Sequence, residues 1–382
     1  MSSTIILPST NFLGRECLDK ALDVVQQQRF TKALVVTDAV LNQIGLVAQI
    51  TKKLEDRQIS FAVYDGTQPN PTIQNVEEGL QVLSDESCDL ILSVGGGSPH
   101  DCAKGIALVA TNGGKITDYE GINKATQPPF PLVAINTTAG TASEMTMFSV
   151  ITDEARQLKM AIVDQKVTPL ISVNDPNLML AMPSSLTAAT GMDALTHAIE
   201  AYVSVAANPI TDTVALKAIE MITRYLPKCV SDGEDVEARE QMAYAQFMAG
   251  MAFNNALLGY VHAMAHQLGA IYHLPHGVCN AVLLPHVQRF NASTHPTKFV
   301  DIAKAMGKDV SGLSIEEAAM SAIDAMQELS SEIGIPATLS ELGVKSEDIE
   351  TLAKSALEDV CCMTNPRQAS QSEIEAIFTS AM

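Results

Sequence analysis

With 382 residues, 47% of them hydrophobic and 18% charged, the chain has apolar material for sizeable cores. That excludes intrinsic disorder as its main state, and the length favours two domains over one. A net charge of −20 repels phosphate backbones and anionic lipid surfaces, which argues against nucleic acid or a membrane as partner.

The seven cysteines are scattered, odd in number and without a Cys-x-x-Cys pair, a usage that fits a reducing, cytoplasmic setting. The first ten residues carry no basic stretch ahead of Ile5-Ile6-Leu7, so neither export nor membrane anchoring is expected. From Thr31 to Asn174 short β-branched runs alternate with helical stretches: Leu34 to Val36, Phe61 to Tyr64, Leu90 to Val94, Leu132 to Ile135 and Met160 to Val163. This βαβ rhythm predicts an α/β fold, a Rossmann-like domain with a largely parallel sheet. After Pro183 the pattern turns to long Ala-, Met- and Leu-rich windows of helical spacing, Ser185 to Ser204 and Ala238 to Leu268. The expected organisation is an α/β domain over 1–183 and an all-helical domain over 184–382. A cleft between the two is the default place for a site.

Asp38 stands at the end of the first of these runs, where open α/β sheets collect ligands; a carboxylate there binds ribose hydroxyls or caps a helix. The run Leu90 to Val94 leads into Gly95-Gly96-Gly97-Ser98-Pro99-His100-Asp101 and then a helical stretch through Lys104. Three glycines admit a close ligand, Ser98 suits the N-cap and Pro99 the first helical position, so a helix amino terminus is expected over a pyrophosphate. The order departs from the usual dinucleotide fingerprint, because the candidate acid precedes the glycines. The spacing Thr141-x-x-Glu144, after another strand, predicts a second capped helix start.

In the helical half, Asp193 and His197 are four apart and share one helix face, so both can meet one cation. His262 and His266 repeat that spacing, and His276 follows between Pro275 and Gly277. Asp193, His197, His262 and either His276 or His266 make an oxygen and imidazole donor set that suits Fe(II), Zn(II) or another first-row divalent ion. Spacing alone does not choose between His276 and His266.

These stretches, Gly191-Met192-Asp193-Ala194-Leu195-Thr196-His197-Ala198-Ile199-Glu200 and the run from His262 through Gln267-Leu268-Gly269 to Pro275-His276-Gly277 and Pro285, closely resemble the iron-containing (group III) alcohol dehydrogenase family. The likeness spans almost the whole chain. It implies a metal-dependent oxidoreductase that passes a hydride between a short primary alcohol, or its aldehyde, and NAD, acting as a homodimer or larger assembly. It implies Asp193, His197, His262 and His276 as metal ligands, Fe(II) before Zn(II), with His266 as a proton-relay or positioning residue. On the nucleotide side it implies Asp38 at the ribose and Gly95, Gly96, Gly97, Ser98 and Asp101 at the pyrophosphate, with Lys104 beside them. It also implies Thr137, Thr138 and Thr141 toward the second phosphate and nicotinamide, and Asn70, Lys159 and Leu186 as further contacts. Many relatives carry a basic residue where Met147 stands.

The nearest rivals belong to the same wider superfamily: a glycerol or other polyol dehydrogenase, or a dehydroquinate-synthase-like lyase. A metal-dependent hydrolase is disfavoured, because Ala263 stands where His-Glu-x-x-His needs its general base.

Overall fold

The computed structural model describes residues 4–156 and 158–382. Two compact units emerge, one of Ile6–Thr138 and Ala142–Leu180, the other including Ala139–Thr141 and Ala181–Met382.

The first unit runs β1 (Thr10–Leu13), α1 (Cys17–Gln27), β2 (Lys32–Val36), α2 (Ala39–Gln43), α3 (Leu46–Glu55), β3 (Ser60–Tyr64), α4 (Ile73–Asp85) and β4 (Leu90–Gly95). It continues with α5 (Gly97–Asn112), β5 (Gly121–Ile122), β6 (Leu132–Asn136), β7 (Phe148–Asp153), β8 (Leu158–Val163) and β9 (Ile171–Asn174). Six strands form a wholly parallel sheet in the order β1-β9-β6-β4-β2-β3. Successive side chains of a strand point to opposite faces, and β2 is apolar on both. Ala33 and Val35 enter one core with Leu22, Ile50 and Leu92, while Leu34 and Val36 enter the other with Val76, Ile91 and Ile106. Helices therefore cover both faces, the doubly wound arrangement.

From β2 the chain goes outward to β3, then crosses back to place β4 on the other side of β2. The connections after β2 and β4 thus leave in opposite directions, which makes their carboxyl ends the topological switch point, where such sheets bind ligands. Asp38 follows β2 there, and Gly96 and Gly97 follow β4.

Three sequence expectations change. Met160 to Val163 is not in the parallel sheet: β8 pairs antiparallel with β7, in register from Phe148 opposite Val163 to Asp153 opposite Leu158. Its alternation of buried Met160 and Ile162 with partly exposed neighbours is that of a half-covered antiparallel pair. Ser98 is not the N-cap, because α5 begins at Gly97 with Gly96 as cap residue. Thr141-x-x-Glu144 starts no α-helix; Ala142 takes φ +52° and only a short 3₁₀ turn follows, Ser143–Met145.

The second unit comprises α6 (Ser184–Val203), α7 (Pro209–Ser231), α8 (Val236–Ala256), α9 (Tyr260–Tyr272), α10 (His276–Ala292), α11 (Pro296–Ala305), α12 (Ile315–Glu332), α13 (Ile349–Glu358) and α14 (Gln371–Ser380). From Gly191 to Val203 every residue of α6 is buried, the pattern of a helix surrounded by others, here α7, α8 and α10. The apolar window Ala238 to Leu268 is two helices. The chain breaks at Leu257, with φ +62°, and Gly259 leads into α9. Among the described residues no helix is long and apolar enough to cross a membrane.

Candidate functional site

Asp193 and His197 lie on one face of α6, a turn apart, and both are buried. His262 occupies the first turn of α9, and His276 is the first residue of α10. Close packing brings these elements together: a side chain on Gly277 would stand 2.2 Å from the carbonyl oxygen of Ala189 in α6, so only glycine lets α10 begin there. The result is convergence on Asp193 Oδ1, with His276 Nε2 at 3.6 Å, His262 Nε2 at 3.7 Å and His197 Nε2 at 3.8 Å.

Asp193, His262 and His276 form the tight group, their donor atoms all within 4.8 Å of one another. His197 reaches Asp193 but stands outside that mutual cluster; its ring stacks between Phe253, at 4.1 Å, and His262, at 4.7 Å. The residues fit a divalent first-row ion. Bonds of about 2.1 Å in a tetrahedral shell put donors roughly 3.4 Å apart, close to the separations seen here. Asn280 Nδ2 probes the same point, lying 2.8 Å from Asp193 Oδ1, 3.1 Å from His276 Nε2 and 3.2 Å from His262 Nε2.

The electrostatics agree with a cation-binding pocket. Burial opposes ionisation of Asp193, but the surrounding His197, His276 and His262 outweigh it and hold the carboxyl well below its usual range. Burial drives His197 down to about 4 against the pull of Asp193, which keeps it a neutral donor. At His262 the carboxylates of Asp193 and Glu200 on either side of the ring outweigh burial and lift it to about 9, so a positive charge, proton or metal ion, is favoured at Nε2.

His266 stands one turn beyond His262. Its ring stacks on His276 at 5.4 Å, and its Nδ1 is 2.8 Å from Asp359 Oδ2. Asp359 is held in turn by the Cys361 N–H at 2.9 Å on Oδ1. His266, Asp359 and Cys361 form a second small group of potential donors, in which the imidazole and carboxylate are already paired. All seven cysteines are free thiols. Burial pushes Cys361 well above the normal thiol range, and Cys362 is buried with its Sγ toward the Ala356 carbonyl at 2.8 Å, so neither is poised as a thiolate.

In the α/β unit Asp38 N-caps α2, its Oδ1 accepting from the Leu41 N–H at 2.9 Å. Gly95 has φ +151° and a side chain on it would strike Pro99 at 2.5 Å, while one on Gly96 would meet Thr138 at 2.8 Å. No side chain caps the amino terminus of α5, which opens directly at the carboxyl end of β4. An uncapped helix start beside a turn lacking side chains fits a pyrophosphate. Thr137 donates its N–H to the Gly95 carbonyl at 3.0 Å, and Thr138 follows beside Gly96. Asn70, at φ +59°, donates its N–H to Ser98 Oγ at 3.3 Å and accepts from Lys159 Nζ on Oδ1 at 2.8 Å.

Asp101 and Lys104 face inward. Ser143 Oγ donates to Asp101 Oδ1 at 2.6 Å and accepts from Lys104 Nζ at 3.0 Å, and Lys104 also donates to Thr146 Oγ1 and the Phe148 carbonyl. The Val150 N–H closes on Asp101 Oδ2 at 3.1 Å. Burial pulls Lys104 down to about 8, with Asp101 and Glu144 opposing it. This polar plug fastens α5 to β7. Thr141 falls in the segment Ala139–Thr141 of the helical unit, and Leu186 is exposed on the first turn of α6.

Sequence reading passed over three residues. Glu200, quoted only as the end of a motif, is a buried carboxylate against His262 Nδ1 at 2.7 Å. An acid in an otherwise apolar helix window was its signal, since a buried carboxylate needs partners. Asn280 is four residues after His276, the spacing already used for the histidine pairs. Asp359 is 93 residues from His266, and no local pattern marks it.

Two family profiles match the chain: iron-containing alcohol dehydrogenase over residues 8–176, and the C-terminal part of the Fe-containing alcohol dehydrogenase family over residues 187–382. Alcohol dehydrogenase 4 of Schizosaccharomyces pombe is 54% identical, covering 100% of this chain and 89% of that one. The NAD-dependent methanol dehydrogenase of Bacillus methanolicus is 48% identical, with 100% of both chains covered. The crystal structure of a 1,3-propanediol oxidoreductase superposes with a TM-score of 0.98 at 50% identity, covering 100% of both chains. The chain belongs to the iron-containing alcohol dehydrogenase family.

Proposed function

We propose that this enzyme oxidises a short primary alcohol, or reduces the corresponding aldehyde, with NAD as hydride carrier and a divalent ion, Fe(II) before Zn(II), at Asp193, His197, His262 and His276. The observation that carries this reading is the convergence of Asp193, His262 and His276 on one point. The relatives support the substrate class and the cofactor, one being an NAD-dependent methanol dehydrogenase and another a 1,3-propanediol oxidoreductase.

When bound, the ion supplies Lewis acidity toward the alcohol oxygen and NAD supplies the hydride acceptor. Asp193 would contribute the negative charge of the donor set, and the three imidazoles, neutral once an ion takes the place of the proton on His262 Nε2, would leave the ion most of its own. His266, with Nδ1 fixed by Asp359, presents Nε2 to take the proton that an alcohol loses and to return it in aldehyde reduction. The amino terminus of α5, with Gly95, Gly96, Gly97 and Ser98, holds the pyrophosphate, and Thr137, Thr138 and Thr141 extend that contact. Asn70, Lys159 and Leu186 are further nucleotide contacts, and Asp101 acts from behind, by anchoring α5. Asp38 binds the adenosine ribose. The free thiols accord with a cytoplasmic enzyme, and the family likeness with a homodimer or larger assembly.

The test is the rate of NADH formation from ethanol, 1-propanol and 1,2-propanediol by chelator-stripped protein, before and after anaerobic addition of Fe(II) or Zn(II). Turnover is expected only after metal is restored. Absence of net NADH formation by folded, metal-loaded protein that binds NAD would point to a polyol substrate or to the lyase chemistry of the wider superfamily.

Cofactor choice has its own test. A carboxylate at Asp38 repels the 2′-phosphate of NADP. Asp38→Gly is expected to raise kcat/KM for NADP relative to NAD by roughly tenfold or more, since juxtaposed like charges cost kilocalories and about 1.4 kcal/mol is tenfold. An Asp38→Gly enzyme that still rejects NADP would remove Asp38 from the ribose site.

A further inference from the structure

Glu200 lies near the end of α6, 2% exposed, within the helical unit. Its carboxylate accepts three hydrogen bonds, all from the start of α9. Oε1 takes the Val261 N–H at 2.7 Å; Oε2 takes the Gly259 N–H at 3.0 Å and faces His262 Nδ1 at 2.7 Å. The approach depends on Gly259, where a side chain would stand 2.9 Å from Glu200 Oε1 and 2.8 Å from Asn365 Oδ1. One buried group therefore does two things: it caps α9, and it grips the far nitrogen of an imidazole whose near nitrogen is 3.7 Å from Asp193 Oδ1.

An ionised carboxylate can only accept. When the ring is neutral, the proton His262 keeps is then the one on Nδ1, and Nε2 turns a free lone pair toward Asp193, His276 and Asn280 Nδ2. We infer that Glu200 is the positioning residue of the metal centre: it fixes the tautomer and ring orientation of His262 and so sets the affinity of the donor set for its ion. The inference rests on the assignment of His262 as a ligand. It adds a residue from outside the donor set, acting through the imidazole.

Glu200→Gln is the discriminating change. Glutamine keeps the size, but its amide has only one accepting oxygen for donors that now approach both ends of the carboxylate. With the NH₂ toward His262, the imidazole must accept on Nδ1 and carry its proton on Nε2, where the ion would bind. The readout is affinity for Zn(II), by competition with a chromogenic chelator, on folded metal-free protein. Glu200→Gln is expected to bind Zn(II) about 10- to 100-fold more weakly, while NAD binding stays unchanged. His262→Ala is measured beside it. Loss in His262→Ala with wild-type affinity in Glu200→Gln overturns the role of Glu200 alone, whereas wild-type affinity in both overturns the metal assignment beneath it.

Should Glu200→Gln not fold, the wild-type protein answers through ¹⁵N-imidazole NMR of the metal-free chain at a pH where the ring is neutral, with the His262 signal identified by its absence from metal-free His262→Ala. The Nδ1–H tautomer is expected, and a neutral ring protonated on Nε2 overturns the inference.

Discussion

Replacing His262 by alanine is expected to abolish both metal retention and turnover. The residue is buried in the tight donor group, whereas His266, the other histidine of α9, lies outside that group and is engaged by Asp359. Removing an outer partner of a ligand typically costs 10- to 100-fold in metal affinity, and removing the ligand itself is expected to exceed about 100-fold. Metal analysis after dialysis, alongside NADH formation, checks both halves. Full activity in a metal-free His262→Ala protein would dismantle the proposed mechanism.

His266→Ala is expected to separate those two losses. His266 is a helical turn from His262 and stacks on His276, yet its Nδ1 is already engaged by Asp359 and it lies outside the tight donor group. Metal content is therefore expected to match wild type, while kcat falls by roughly 10²- to 10⁴-fold, the range for a lost general acid or base. Metal lost together with activity would show that His266 is itself a ligand.

Sequence and structure part company at places with physical causes. β2, β3, β4 and β6 were legible because strands of a covered parallel sheet are short runs of β-branched and apolar residues bounded by turns. β1 was not, because Thr10, Asn11, Phe12 and Leu13 form a half-exposed strand at the edge of the sheet, with little apolar signal. Composition likewise hid the break between α8 and α9: Leu257 and Leu258 read as helix formers, and only Gly259 hinted at an interruption.

At the metal centre the spacing of four announced Asp193 with His197 and His262 with His266, since helical periodicity is local. That His276 rather than His266 joins Asp193 and His262 in the tight group depends on how α10 packs on α6, which spacing does not encode. Glu200 and Asp359 act across 62 and 93 residues of chain, so their partners exist only in the fold. The glycine turn from β4 into α5 was legible, but the inward role of Asp101 and Lys104 was not. The family resemblance set both beside the pyrophosphate, whereas Ser143, Thr146 and Val150 hold them from another part of the chain.

The donors come from three helices spaced along the chain, α6, α9 and α10, with His276 the last to be made. During synthesis, a nascent chain that has not yet extended past α9 holds at most Asp193, His197 and His262. The remaining proposed donor, His276, appears only when α10 has emerged and seated Gly277 against Ala189. On the proposed ligand set, a truncated product ending before α10 lacks one of the four donors and cannot compete with the full-length chain through a complete copy of the site.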